Sequence, residues 1–198
     1  ALGTPRMVIM ENGNVGIGTS SPGNTLHLKS STSTQPSINL ENTNADGEPS
    51  YLFFTKTAGS GNEAAGDNIG RMIFYGTNSE DTVKSYVRID AKAREVVENN
   101  EAGEFHIMPM SDAGSAAYNY QMLSVYGYSA TGPKQAEVVV NEDSLDVDFR
   151  VESDNDTHAL FVQGSDGNVG IGTTNPDKDL HIKSSSSSSP AIKIENTN

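Results

Sequence analysis

The sequence of 198 residues contains no cysteine and no tryptophan, and aromatic residues make up only 7% of it. The absence of cysteine excludes disulfides, thiol catalysis and cysteine-ligated zinc. Hydrophobic residues amount to 34%, which is too few to fill a thick core within one chain. Short β-branched and aromatic runs nevertheless recur, which argues against disorder. The composition therefore favours a thin, all-β structure assembled from several chains.

Positive charge is also scarce, because 13 Lys and Arg face 26 Asp and Glu and give a net charge of −13. Nucleic acids and anionic membrane surfaces bind basic proteins, so we expect neither as a partner. No apolar stretch reaches about 18 residues, and we expect no transmembrane helix. The start of the sequence also lacks the charged and apolar regions that are typical of a signal peptide.

A long internal repeat organises the chain. Residues 13–44 (GNVGIGTSSPGNTLHLKSSTSTQPSINLENTN) recur as residues 167–198 (GNVGIGTTNPDKDLHIKSSSSSSPAIKIENTN), with an offset of 167 − 13 = 154 residues, and 20 of the 32 positions are identical. Upstream, Met7-Val8 aligns with Phe161-Val162. A fixed period is typical of units that stack along an axis, although a duplication inside one compact domain would give the same offset.

We interpret the chain as a window on a longer array of such units. Most differences between the two copies keep the residue class, as between Leu28 and Ile182. The parts are the end of a preceding unit (1–12), one full unit (13–166) with a hairpin-rich part (13–44) and a central β region (45–166), and the start of the next unit (167–198).

Alternation with a period of two predicts strands. Over 145–152, four apolar residues point to one side and four charged residues to the other, which predicts one dry and one wet face. Helix-forming residues at 91–98 and 111–123 leave room for little more than one short helix. Further strands are predicted at 51–55, 71–75, 86–90, 105–108, 122–126, 137–140 and 160–162.

A motif of turn residues recurs in both copies of the repeat. Asn12-Gly13 separates two apolar runs, and Gly supplies the positive φ that a type I′ hairpin requires. Gly16 alternates with apolar residues, which suits a close approach of another backbone, from another subunit in a three-chain fibre. Pro22 lacks an amide hydrogen and marks a corner. The full motif comprises Asn12, Gly13, Gly16, Gly18 and Pro22, with the counterparts Asp166, Gly167, Gly170, Gly172 and Pro176.

The residues after this corner predict a hairpin in each copy. A polar loop separates two alternating segments, and the second predicted strand is 37–41 or 191–195. His27 and its equivalent His181 lie in the first strands. Three imidazoles on a fibre axis could bind a metal or an anion, but the wet face of a strand is favoured, because no carboxylate or second histidine stands at ligand spacing.

Four tyrosines form the only aromatic cluster, and they are the candidate binding residues. They would stack on a glycan if they face outward, or pack across strands, which is the commoner arrangement. Acidic residues over 143–156 have the oxygens that Ca²⁺ prefers but not the spacing of a calcium loop. Gly16-Ile17-Gly18 completes no nucleotide motif, and no cleft with convergent carboxylates is indicated, so we predict no enzyme, metal or cofactor. The tyrosines are Tyr118, Tyr120, Tyr126 and Tyr128.

Two segments carry a resemblance to a known family. FRVESDNDTHALFVQGSDGNVGIGTTNP (149–176) resembles a pattern common in the shafts of phage tail fibres and tailspikes, and DNIGRMIFYG (67–76) is similar to another segment of these shafts. Such repeats often lie upstream of an endosialidase-type intramolecular chaperone domain. The resemblance implies an elongated, homotrimeric, intertwined β fibre shaft of the triple β-helix, β-spiral or β-prism type, at the surface of a virion or otherwise extracellular.

A physical argument leads to the same expectation. The apolar faces of one chain are narrow, and three chains around one axis would bury them in a shared core. We expect a structural shaft segment of a viral tail fibre or similar appendage, a homotrimer that continues end to end and presents a host-attachment tip. The alternatives are a module that binds a host-surface glycan or receptor through loops of the central region (57–68, 76–84 and 111–135), and a tailspike-type glycan hydrolase.

Overall fold

The computed structural model describes residues 6–57, 64–112, 117–128, 136–184 and 190–195. These residues form thirteen strands in three sheets and no helix, which confirms the predicted all-β class. The chain divides into two compact units, Ala1–Phe53 and Phe54–Asn198.

The first unit contains a three-stranded sheet. Its strands are β1 (Met7–Ile9), β2 (Val15–Ile17) and β3 (Leu26–Leu28). β1 and β2 are antiparallel, whereas β2 and β3 run parallel. Residues 18–25 return the chain between the parallel strands, and a hydrogen bond from Lys29 N to Ile17 O (2.9 Å) ties their far end.

The second unit contains a six-stranded and a four-stranded sheet. The six-stranded sheet consists of β4 (Asn68–Thr77), β5 (Val83–Glu95), β6 (Ala102–Asp112), β7 (Ala117–Asn119), β8 (Leu123–Tyr126) and β9 (Glu137–Val140). All its pairs are antiparallel, in the order β4-β5-β6-β8-β9, with β7 beside β6. The four-stranded sheet consists of β10 (Phe149–Val151), β11 (Leu160–Val162), β12 (Val169–Ile171) and β13 (Leu180–Ile182). As in the first unit, its last two strands run parallel.

Several predicted strands are confirmed, and β9 and β11 begin and end at the predicted residues. The helix-forming residues at 91–98 form no helix, because β5 continues to Glu95, which pairs with Ala102 in β6. The second segment with helix-forming residues, 111–123, belongs to β6 at its start and to β8 at its end, with β7 between them. Residues 113–116 lie outside the described part.

Three other strand predictions fail. Residues 51–55 form no strand, and neither do 37–41 or 191–195, so the predicted hairpins are absent from the described residues. β3 and β13 instead pair in parallel with the strands that precede them. The strand predicted over 145–152 shortens to β10, because the Asn141 side chain binds the N–H and the C=O of Leu145 (3.0 and 2.8 Å) and turns the chain there.

The predicted type I′ turn at Asn12-Gly13 is also wrong. Met10 N donates to Asn14 O, and Gly13 N donates to Met10 O, both at 2.9 Å, which makes a three-residue loop. Gly13 has a φ of 83°, but Asn12 does not have a positive φ, whereas a type I′ turn needs positive φ at both central residues. Gly is still required here, because its left-handed conformation closes the loop.

The second copy of this turn is longer by one residue. Gln163 N donates to Asn168 O (2.9 Å), which leaves four residues in the loop. Phe161 lies opposite Gly170, as Val8 lies opposite Gly16. Phe161 is therefore the structural equivalent of Val8, and the alignment of Met7-Val8 with Phe161-Val162 is displaced by one position.

The close approach predicted at Gly16 and Gly170 occurs, but within the chain itself. A Cβ at either position would lie 2.5 Å from a backbone oxygen, of Thr19 and of Thr173 respectively. The prediction that another subunit makes this approach is therefore corrected, because the tight return after β2 and β12 already fills the space. Pro22 and Pro176 lie within these returns.

Candidate functional site

The register of the six-stranded sheet collects apolar side chains on one face. Met72, Ile89, Ile107, Leu123 and Val140 are successive cross-strand partners, and so belong to the same side of the sheet. The flanking rows on this side are equally apolar. We call this side the apolar face; it consists of Gly70, Met72, Phe74, Val87, Ile89, Ala91, Phe105, Ile107, Pro109, Leu123, Val125, Val138 and Val140.

The apolar face is the open one in the single chain. Met72, Phe74, Phe105, Val125 and Val138 are all exposed. Soluble monomers rarely expose a contiguous apolar patch of more than a few hundred Å², and larger patches mark interaction surfaces. The apolar side of this sheet is therefore the more exposed one, whereas a sheet with one apolar face usually packs that face on the core.

The opposite side, which we call the polar face, carries a buried network. Arg71, Asp90, His106 and Ser124 are successive cross-strand partners. Asp90, His106 and Ser124 are all fully buried. Burial of such groups is tolerated only where they are hydrogen-bonded or paired, and each of the three has partners.

Asp90 is held by two arginines. Arg71 donates to both carboxylate oxygens, through Nε at 2.7 Å and Nη2 at 2.8 Å, and Arg88 Nη2 lies 3.2 Å from Oδ2. Burial alone would raise the pKa of Asp90, but the Arg71 hydrogen bonds and the charges of Arg88, Arg71 and Lys92 outweigh it and lower that pKa below its usual 3.8. The carboxylate therefore stays ionised inside the sheet, and β4 is linked to β5 by a bidentate ion pair.

The lowered pKa of Asp90 predicts a loss of stability in acid. A depressed folded-state pKa gives stability that is complete above the unfolded value of 3.8 and disappears as the pH falls through the folded value. The free energy of unfolding should therefore fall more steeply between about pH 5 and pH 2 in the wild type than in Asp90→Asn. Urea unfolding at a fixed subunit concentration measures both slopes, and equal slopes would contradict the assignment.

His106 links a serine to a carboxylate. Its Nδ1 lies 2.9 Å from Ser124 Oγ, and its Nε2 lies 3.1 Å from Glu104 Oε2. These are the residue types of a hydrolytic triad. Ser124 is fully buried, however, and its hydroxyl also donates to Gln121 Oε1 (3.2 Å), so the oxygen does not reach the surface. The arrangement joins β6 to β8 and gives no support to hydrolysis at this serine.

The structure does not gather the four candidate tyrosines on one outward surface. Tyr126 is buried, edge-on to the His106 ring with centroids 5.6 Å apart, and the Arg94 guanidinium lies 5.1 Å from its ring centroid. Burial raises the pKa of Tyr126. Tyr120 is half-buried and Tyr128 is exposed, while the side chain of Tyr118, in β7, lies outside the described part. Tyr126 therefore packs across strands, and glycan stacking by the cluster stays a prediction.

The histidines and carboxylates that were weighed as metal ligands have partners within the chain. His27 Nδ1 accepts a hydrogen bond from Gly23 N (3.2 Å), and His181 Nδ1 lies 3.1 Å from Asp177 Oδ1. The Asp156 carboxylate accepts from His158 N (2.8 Å), and the Asp166 carboxylate from Asn168 N (3.2 Å). Among the described residues, no group of three or more His, Asp or Glu is placed to hold a metal ion.

Comparison with protein-family models and with curated proteins finds no match for this chain. Within the described residues there is also no helix of the length and apolarity needed to span a membrane. The apolar face and the Asp90 network are the features that sequence reasoning missed. The alternation of β5 and β6 was visible, but the cross-strand register that aligns their residues was not.

Proposed function

We propose that this chain is a structural shaft segment of a viral, phage-like tail fibre or a similar surface appendage, which forms a homotrimeric rod and presents a host-attachment tip. The observation that carries the proposal is the surface that a single chain leaves open. Large apolar side chains are exposed along the described part of the chain, such as Ile9 (67%), Phe74 (50%) and Val138 (67%), although a self-contained soluble chain buries most side chains of this kind. Intertwining with identical copies would bury them.

The small interior supports the same proposal. In the described part of the chain, the large hydrophobic side chains that are buried are Met108, Tyr126 and Phe161. A core of this size contributes little to the stability of a lone chain. Association around a common axis would add apolar burial at roughly 25 cal/mol per Å².

Two segments that alternate like strands but belong to no sheet in the described part of the chain also support the proposed fibre. Ile38 and Leu40 are exposed in the first copy, as are Ile192 and Ile194 in the second, although both segments alternate apolar and polar residues. Within the described part of the chain, neither segment belongs to a sheet. A neighbouring chain in the fibre would supply the missing strand partner, since unpaired edges readily pair with other chains.

The test is the mass of the particle in solution. We expect light scattering during size-exclusion chromatography to give three times 21.0 kDa, with elution as an elongated particle. The measured particle mass distinguishes a trimeric shaft from a self-contained binding module, because we expect such a module to be a monomer. A mass of 21.0 kDa at every concentration, with cooperative melting of the single chain, would refute the proposal.

A further inference from the structure

We propose that the apolar face of the six-stranded sheet packs against the same face of two further copies of this chain, so that three sheets enclose the fibre axis and the polar face points outward. This inference rests on the proposed homotrimer and adds the surface through which it forms. The occupant is a second and third copy of the chain, rather than a foreign partner.

Chemistry suits the apolar face to burial. It carries no charged side chain at any of its positions, although the sequence contains 13 basic and 26 acidic residues. Packing this face against another copy therefore buries no unpaired charge and breaks no side-chain hydrogen bond. The same is untrue of the polar face, where the guanidinium groups of Arg71 and Arg88, which are 37% and 29% exposed, would lose their contact with water.

Charge also favours identical copies as the occupants. Chains of net charge −13 repel one another, and they associate most easily where the charges point away from the contact. Meeting through their apolar faces leaves the charged polar faces on the outside. A closed ring of three chains buries every apolar face, so no further chain can add at the side of the fibre, while the repeat extends the fibre along its axis.

The apolar face offers exposed area for such contacts. Met72, Phe74, Val138 and Val140 on this face are 45%, 50%, 67% and 48% exposed. Each chain of a three-membered ring makes two interface halves, and a standard half buries about 800 Å². The apolar face spans five strands and carries no charge. Within the described part of the chain, it is the surface that can supply the buried area of both interface halves.

One corner of the face already shows how an aromatic side chain packs on it. A Cβ at position 70 would lie 2.8 Å from the Cβ of Phe54, so Phe54 rests directly on Gly70. An ion pair between Lys56 and Asp67 (2.7 Å) holds this segment beside β4. The adjoining groove, of about 290 Å³, is bounded by Met72, Ile89, Ala91 and Phe105 and remains open to a side chain of a neighbouring copy.

The test compares two exposed valines. Val138 belongs to the apolar face and is 67% exposed in the single chain, while Val97 lies in the β5–β6 loop and is 55% exposed. Val138→Asp should reduce the particle mass from three times 21.0 kDa to 21.0 kDa, whereas Val97→Asp should leave it unchanged. Circular dichroism distinguishes a dissociated chain that keeps its β structure from one that has unfolded.

A second measurement covers the case in which Val138→Asp does not fold. The chain has no cysteine, so Val138→Cys and Val97→Cys each introduce a single thiol. In the assembled particle, Val138→Cys should react with a water-soluble maleimide at least about tenfold more slowly than Val97→Cys, because access controls thiol reactivity. Equal reaction rates in a trimer, or a trimeric Val138→Asp, would overturn this inference and leave the proposed shaft intact. A monomeric wild type would overturn both, and would leave the face open to a partner of another kind.

Discussion

Replacement of Asp90 by Ala is expected to lower the free energy of unfolding by about 3 kcal/mol. The carboxylate is fully buried and accepts three contacts from Arg71 and Arg88. Removing one member of a buried ion pair usually costs about 3–5 kcal/mol, because the partner charge is left uncompensated. The lower end applies here, since the side chains of Arg71 and Arg88 are 37% and 29% exposed and water can solvate part of the loss.

The matched control is an ion pair at the surface. Arg150 Nη2 lies 2.7 Å from Glu152 Oε1, a shorter distance than Arg88 to Asp90, but the two side chains are 52% and 50% exposed. Glu152→Ala should therefore cost less than about 1 kcal/mol. Guanidinium unfolding at one fixed subunit concentration measures both variants. If Asp90→Ala lost no more than Glu152→Ala, the buried network would not stabilise the sheet.

Strands that lie between clear turn residues were predictable from the sequence. β9 and β11 are short β-branched or aromatic runs, and their ends match the prediction. The local signal suffices there because apolar β-branched residues fit a pleated, half-buried surface. The all-β class followed from the same pattern, repeated along the chain.

The failures have a common cause in long-range pairing. Ala91 to Glu95 favour a helix locally, yet Ala91 pairs with Gly70 on one side and with Phe105 on the other. Pairing with both β4 and β6 at Ala91 and Lys92, and with β6 as far as Glu95, outweighs a helix preference of a few tenths of a kcal/mol per residue. Conversely, 37–41 alternates like a strand but has no ladder partner in the described part of the chain, and a strand needs one.

The buried network of the polar face was beyond sequence reasoning for the same reason. Asp90 stands between Ile89 and Ala91, and such a charged residue in an alternating run reads as solvent-exposed. Asp90 is buried because the cross-strand register places it between Arg71 and His106, and this register cannot be read from the alternation. A pair of opposite charges on neighbouring strands is a hint, but the alternation alone does not fix which residues face each other.

Gly18→Ala is expected to destabilise the first sheet by more than about 2 kcal/mol, because two costs combine at this position. Gly18 has a φ of 73°, which costs an L-residue roughly 1–2 kcal/mol. In addition, a Cβ there would collide with the carbonyl oxygen of Lys29. That carbonyl cannot move away freely, because the amide of Lys29 donates to Ile17 O (2.9 Å) and ties β3 to β2. Hydrogen exchange at the Lys29 amide, together with thermal unfolding, reports the loss.

Two glycines of the same sheet separate these costs. Gly13 has a φ of 83° but nothing within 4 Å of its Cβ position, so Gly13→Ala should cost about 1 kcal/mol from the backbone alone. Gly23 has neither a positive φ nor a neighbour within 4 Å, and Gly23→Ala should stay within about 0.5 kcal/mol of the wild type. The expected order of destabilisation is Gly18, then Gly13, then Gly23. Equal losses at Gly18 and Gly13 would mean that the close passage of β3 past Gly18 is not a constraint on the fold, and that backbone conformation alone explains why glycine stands there.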